Sequence, residues 1–188
     1  MIEFIFMLTH NDQTVEDAPE VLASLTDTGL RYVGFKDVGA SLERRKELVA
    51  AAHDAGMEVM LEVVSTSVDD ELASLRAAGE VGFDWVLGGT HGAEGATILA
   101  GSGIRYCPFP GTIIGHPSEL AGSIEDIAED AKRLTHIDGV HGVDLLTYRH
   151  ATADPAALTR AVVDASAGPV IAAGSVVTDE QIRLLAAA

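Results

Sequence analysis

Gly168-Pro-Val-Ile-Ala-Ala-Gly-Ser175, continued by Val176-Val-Thr-Asp-Glu-Gln-Ile-Arg-Leu-Leu185, is the stretch that decides the fold. Its apolar run predicts a buried strand, Gly174-Ser175 turns the chain, and Thr178 with Gln181 three residues on opens a capped helix. Such a handover leaves backbone N–H groups at the strand's C-terminal end, beside a helix N-terminus, where they can hold an anion such as phosphate.

The same unit recurs along the chain as a short apolar strand, a loop ending in a helix cap, an amphipathic helix and a glycine. Strands are predicted at Glu3–Leu8, Tyr32–Lys36, Glu58–Val64, Trp85–Gly88, Arg105–Phe109, Val143–Tyr148 and Val170–Ala173. Helix starts are marked by Thr14 with Asp17, Ser67 with Asp70, Ser123 with Asp126, Thr178 with Gln181, and Asp154 before Pro155. Gly29, Gly56 and Gly168 stand where left-handed helix ends are expected. Strict alternation implies a parallel sheet with right-handed crossovers, and seven units favour a (β/α)8 TIM-type barrel over a flavodoxin-like open sheet. Residues 1–188 therefore read as a single α/β barrel domain that lacks its eighth βα unit and is C-terminally incomplete. The one long connection, Pro108 to Glu119, is a candidate lid.

A chain of 188 residues with 47% hydrophobic composition can bury one substantial core. The N-terminal segment Met1 to Leu8 carries an acid and no basic flank, so it reads as a first strand rather than a signal peptide. No apolar run reaches spanning length, so no membrane partner is expected and a cytoplasmic location is the default. Cys107 is the only cysteine, which excludes an internal disulfide. A formal net charge of −17 argues against a nucleic-acid partner, and any phosphate site must be a local positive concentration in an acidic molecule. The lysine-poor surface, with only Lys36, Lys46 and Lys132, suits a salt-adapted cell and equally a mere compositional bias.

Barrel chemistry collects at the C-terminal ends of strands, and period-two alternation decides which side chains meet there. Val33 and Phe35 suit the helix side, turning Gly34 and Lys36 inward. Val59, Leu61 and Val63 likewise leave Glu58, Met60 and Glu62 inward, with Glu62 toward the mouth. Lys36 and Glu62 on adjacent strands can tune each other and move a proton beside a carbonyl, or they can form a plain buried ion pair. Lys36 can also form a Schiff base. Gly88 and Gly89 at the end of the fourth strand allow backbone to approach a substrate, with His91 as an assisting catalytic group. Thr9, His10, Asn11 and Asp12 at the end of the first strand, Asp37 after the second, and Tyr148 and Arg149 at the sixth are further candidate substrate contacts, Asp37 having the alternative of a solvated turn acid. Cys107 faces either way and reads as a buried thiol, and His116 as a solvated loop residue.

The Gly174-Ser175 loop resembles that of the phosphate-binding barrels of the ribulose-phosphate-binding group, in which a Gly-Ser or Gly-Asn loop holds one side of a substrate phosphate. That resemblance implies a small phosphorylated metabolite as partner, with Gly174 and Ser175 as its phosphate contacts. Val170–Val176 is similar to the Val-Ile-Ala-x-Gly-x-Val pattern of N-acetylmannosamine-6-phosphate epimerases. Ribulose-phosphate 3-epimerases resemble the layout of His10, Asp37, Glu62 and His91, but Gly34-Phe-Lys-Asp37 stands where their metal-binding His-x-Asp does, so no metal and no other cofactor is expected. Thr147-Tyr-Arg149 stands where the aldolases of the wider group carry their Schiff-base lysine. The sequence reading is therefore an isomerase or epimerase of a phosphorylated carbonyl compound, working by proton transfer at Lys36 and Glu62. The alternatives are a Schiff-base lyase or aldolase using Lys36, and a non-catalytic phosphometabolite-binding subunit. An open barrel edge leads us to expect a partner, a homo-oligomer being one form of it.

Overall fold

Two periodicities, two within strands and 3.6 within helices, sort the apolar residues into an inner and an outer layer. The computed structural model describes residues 2–188, and Met1, part of the expected first strand segment, lies outside the described residues. The repeat is carried by β1 (Ile5–Met7), β2 (Tyr32–Lys36), β3 (Glu58–Val63), β4 (Trp85–Gly88), β5 (Arg105–Cys107), β6 (Val143–Leu145) and β7 (Val170–Ala172). The helices are α1 (Ala18–Leu25), α2 (Leu42–Asp54), α3 (Val68–Val81), α4 (Gly92–Leu99), α5 (Ile124–Thr135), α6 (Pro155–Ala165) and α7 (Asp179–Ala187).

Strands β1 to β5 form one parallel sheet in chain order, and β6 and β7 form a parallel pair. The two meet where His141 N donates to Tyr106 O at 2.8 Å and Asp144 N to Pro108 O at 3.0 Å. Among the described residues no strand pairs with the outer edge of β1 or of β7, so the sheet follows barrel order without closing. Apart from Glu58 and Arg105 at their starts, the strands are buried from β2 to β6 but only half-buried in β1 and β7, as two uncovered edges require.

Val33, Phe35, Val59, Leu61, Val63 and Val86 pack outward against the helices. Tyr32, Met60, Trp85, Leu87 and Cys107 form a separate inner cluster flanked by Ile5 and Ile171. The expected strand directions hold, and Cys107 is resolved as inward. At the bottom Glu58 accepts from Trp85 Nε1 at 2.9 Å, and Arg105 lies 4.4 Å from the Trp85 ring centroid, which plugs the barrel floor.

Four local expectations are corrected. Thr14 is not a helix cap, because its hydroxyl exchanges two bonds with the Lys36 backbone inside a short hairpin, and α1 starts after Asp17. Gly168 does not end a helix in the left-handed region. It lies against His141, whose carbonyl oxygen would be 2.0 Å from an added Cβ, so only glycine lets β6 and β7 begin side by side. The sixth strand stops at Leu145 and passes into a 3-10 turn, Thr147–Arg149. The fifth stops at Cys107, and the connection beyond it carries an antiparallel hairpin, Thr112–Ile114 with Glu119–Ala121.

Candidate active site

Strand alternation and register bring the inward charges to one level. Lys36 is paired with Glu62 across β2 and β3, and both side chains are only 7% exposed. Lys36 Nζ lies 3.2 Å from Glu62 Oε1 and 2.8 Å from Asp12 Oδ1. Asp12 arrives from the turn after β1 in a left-handed conformation (φ 58°), as does Asn11 before it (φ 49°). That strained turn drives the Asp12 carboxylate inward rather than out to solvent.

Arg149, on the turn after β6, grips Asp12 in a fork, with Nη1 2.7 Å from Oδ2 and Nη2 2.8 Å from Oδ1. Ser118 N donates to Asp12 Oδ2 at 2.9 Å, and Arg149 Nη1 also donates to Ser118 O at 3.2 Å. The hairpin connection is thereby fastened to the barrel mouth. Burial alone would raise the Asp12 carboxyl, but the bonds from Arg149, Lys36 and the Ser118 N–H outweigh it and hold the group well below the usual carboxylate range. For Glu62 the balance reverses. Burial outweighs the Lys36 charge, and its carboxyl is pushed up.

Asp144, in the middle of β6, completes the interior. Its neighbours Val143 and Leu145 pack outward with the helices, so Asp144 faces inward, fully buried, and neither of its carboxyl oxygens has a hydrogen-bond partner. Burial and then the nearby Glu62 charge push its carboxyl well above the usual range. The Cys107 thiol is pushed up by burial and by Asp144, which fits an inert thiol.

The other expected contacts are placed differently. The Asp37 carboxylate turns from the mouth to accept from Val64 N at 2.9 Å and Ser74 Oγ at 2.9 Å, with Ser65 Oγ also bonded, tying the ends of β2 and β3 to α3. Gly88 and Gly89 take positive φ and curl outward, where the loop's donors serve buried Glu71. Thr90 N and His91 N each reach its Oε1 at 2.9 Å, and His91 Nδ1 lies 3.0 Å from its Oε2. His91 is thus joined to α3 rather than to Lys36 and Glu62. Tyr148 Oη donates to Gln181 O on α7 at 3.3 Å, and His10 is exposed on the rim.

Gly174 and Ser175 do lie beside the cluster. An added Cβ on Gly174 (φ 87°) would stand 3.0 Å from Arg149 Cγ, and Arg149 Nε reaches Ser175 Oγ at 3.4 Å. Two donors of the following helix are already used, since Val177 N and Thr178 N both give to Gln181 Oε1. A cleft of about 450 Å3 lined by Thr90, Phe109, Thr112, Asp126 and Arg133 lies apart from this cluster, none of whose side chains lines it.

Ser118 and Asp144 escaped the sequence reading, and Asp12 was read only as one of several hydroxyl or anion contacts at the end of the first strand. Asp144 had a signal, a charge flanked by apolar residues within a strand.

No family model and no curated protein matches the sequence. Among solved structures, the chain is similar to one described as native KDPGal, at 17% identity and TM-score 0.62, over 97% of this chain and 76% of the other. It is similar to the citrate synthase SbnG at 13% identity and TM-score 0.64, over 97% and 81%. The 3-dehydroquinate dehydratase of Aquifex aeolicus VF5 is matched at 13% identity and TM-score 0.58, over 91% and 78%. These neighbours are enzymes, and others are named an HpcH/HpaI aldolase of Desulfitobacterium hafniense DCB-2 and an N-acetylneuraminate lyase of Mycoplasma synoviae. The isomerase or epimerase expectation is corrected here, because the fold's neighbours bear the names of aldolases and lyases rather than of the ribulose-phosphate-binding isomerases. The chain shares the α/β fold of these enzymes, with its parallel sheet left open among the described residues.

Proposed function

We propose that this chain is a carbon–carbon lyase of the aldolase type, acting on a small hydroxylated carbonyl acid through a Schiff base on Lys36. The carrying observation is the buried Lys36–Glu62 pair, 3.2 Å apart at the C-terminal end of β2 and β3, where barrel chemistry takes place. Arg149 already balances Asp12, so the working partner of the lysine is Glu62. Transfer of the ammonium proton to the raised carboxyl of Glu62 leaves the cluster's net charge unchanged and frees a nucleophilic amine.

The amine attacks the substrate carbonyl, water departs, and the resulting iminium is an electron sink. The carbon–carbon bond one carbon further on then breaks, its electron pair forming an enamine while the hydroxyl on the departing carbon loses its proton to the Glu62 carboxylate. Glu62 returns that proton to the enamine carbon, and water releases the second product. The Gly174-Ser175 loop, beside the Arg149–Asp12 pair, is the donor group that would meet an anionic substituent, carboxylate or phosphate.

The reading is tested by incubating the protein with a panel of hydroxylated oxo acids, with and without a phosphate, and following products by proton NMR. An aldehyde and a shortened oxo acid in equal amounts are expected. A rearranged substrate of unchanged mass would contradict the reading.

A further inference from the structure

Asp144 has no part in the scheme above, yet its position is the most costly of any carboxyl in the chain. It is 0% exposed, it sits on the inner face of β6, and both oxygens lack a partner in a structure where buried Glu71 has four. Burying a polar group without hydrogen bonds is unfavourable, and burying an ionised one far more so. The backbone bond from Asp144 N to Pro108 O sets it one step nearer the mouth than Cys107, facing the interior it shares with Glu62 and Lys36.

We propose that Asp144 is the acid that protonates the carbonyl oxygen as Lys36 attacks, an inference that rests on the Schiff-base reading. Charge accounting supports it. Asp12 is matched by Arg149 and Glu62 by Lys36, so a third carboxyl is accommodated only when it carries its proton. A neutral carboxylic acid then has an O–H with no acceptor on the inner face it shares with Lys36, where the attacked carbonyl would lie. Pairs of carboxyls whose environments divide them into proton donor and proton acceptor are a recurring way of assigning acid and base roles.

The step balances. The amine nitrogen bonds to the carbonyl carbon, the π pair moves to oxygen, and oxygen takes the Asp144 proton. The nitrogen, now cationic, returns a proton to the Asp144 carboxylate. The Glu62 proton, taken earlier from Lys36, leaves with the hydroxyl as water, and the iminium forms. Asp144 ends neutral and Glu62 ionised, as both began.

Two measurements on Asp144→Asn test it. Asparagine keeps the size and the neutrality but not the acidic proton. The infrared difference spectrum of wild type against Asp144→Asn at neutral pH should show a protonated carboxyl band belonging to wild type. Borohydride-dependent incorporation of pyruvate at Lys36 should be slowed about a hundredfold, the scale of losing a positioned acid. The melting temperature should stay equal or rise, because a buried acid with a raised proton affinity loses folded stability as pH climbs above its unfolded value and asparagine does not. An ionised Asp144 in the infrared, or adduct formation in Asp144→Asn at the wild-type rate, would overturn the proposal while leaving Lys36 chemistry standing. Absence of any adduct in wild type would overturn the Schiff-base reading, and the donor role with it.

Discussion

Glu71 and Asp144 are both buried carboxyls of the same α/β fold, and they are treated in opposite ways. Glu71, on α3, accepts from Thr90 N, Thr90 Oγ1 and His91 N, and stands 3.0 Å from His91 Nδ1. Asp144, inside β6, has no partner. The first has hydrogen bonds to both of its oxygens, so a ligand would gain nothing by displacing them. The second is an unmet group on the inner face of β6, which it shares with the Lys36–Glu62 pair. What separates a structural cluster from a reactive one here is the state of its hydrogen bonds, not the types of residue in it.

The contrast breaks most readily at Glu71. Replacing it by alanine removes four hydrogen-bond partners of Thr90 and His91, leaves a hole under α3 and cuts the tie to the β4–α4 turn, and should destabilise the fold by about 3 kcal/mol. Chemical denaturation measures this, and whatever remains folded should label at Lys36 as fast as wild type. Loss of labelling without loss of stability would move Glu71 and His91 into the reactive group.

At Glu62 the expectation is inverted. Glu62→Gln should slow Schiff-base formation about a hundredfold, equivalent to about 2.7 kcal/mol of barrier, with little change in the denaturation midpoint. An unchanged rate with a large drop in stability would make Lys36–Glu62 a plain ion pair, the alternative already visible in the sequence.

Asp12 sharpens the comparison through pH. Its folded carboxyl is held below the ordinary value near 3.8, so it contributes stability that is present above that value and lost as pH falls through it toward the folded one. Asp12→Asn should therefore be less stable than wild type at neutral pH, and the two should converge in acid. Thermal melts across an acid series check this, and parallel curves would contradict it. The smallest effect is expected at Tyr148→Phe. It removes one 3.3 Å bond at the surface of α7 and should cost about 0.5–1 kcal/mol, leaving labelling untouched.

These predictions also mark how far the sequence could be read. The parallel repeat, the inward turn of Lys36, Glu62 and Met60, and the caps at Ser67, Ser123, Asp154 and Thr178 follow from local periodicity and spacing, and all are present. Asp12 was not separable from its rim neighbours, because its partners Ser118 and Arg149 lie 106 and 137 residues away and its inward aim depends on a left-handed turn. The Gly88-Gly-Thr-His91 turn reads as a ligand cradle, and what fills it is a glutamate from the preceding helix, which no spacing rule announces. Asp144 was legible by alternation alone, as an acid between Val143 and Leu145 on an inner face.

The central claim is that Lys36 is a nucleophile. With only three lysines in the chain, reduction by borohydride in the presence of pyruvate, followed by peptide mass mapping, tests it directly. The account predicts a reduced adduct on Lys36 and none on Lys46 or Lys132. An unmodified Lys36, with or without adducts on the other two, would contradict it.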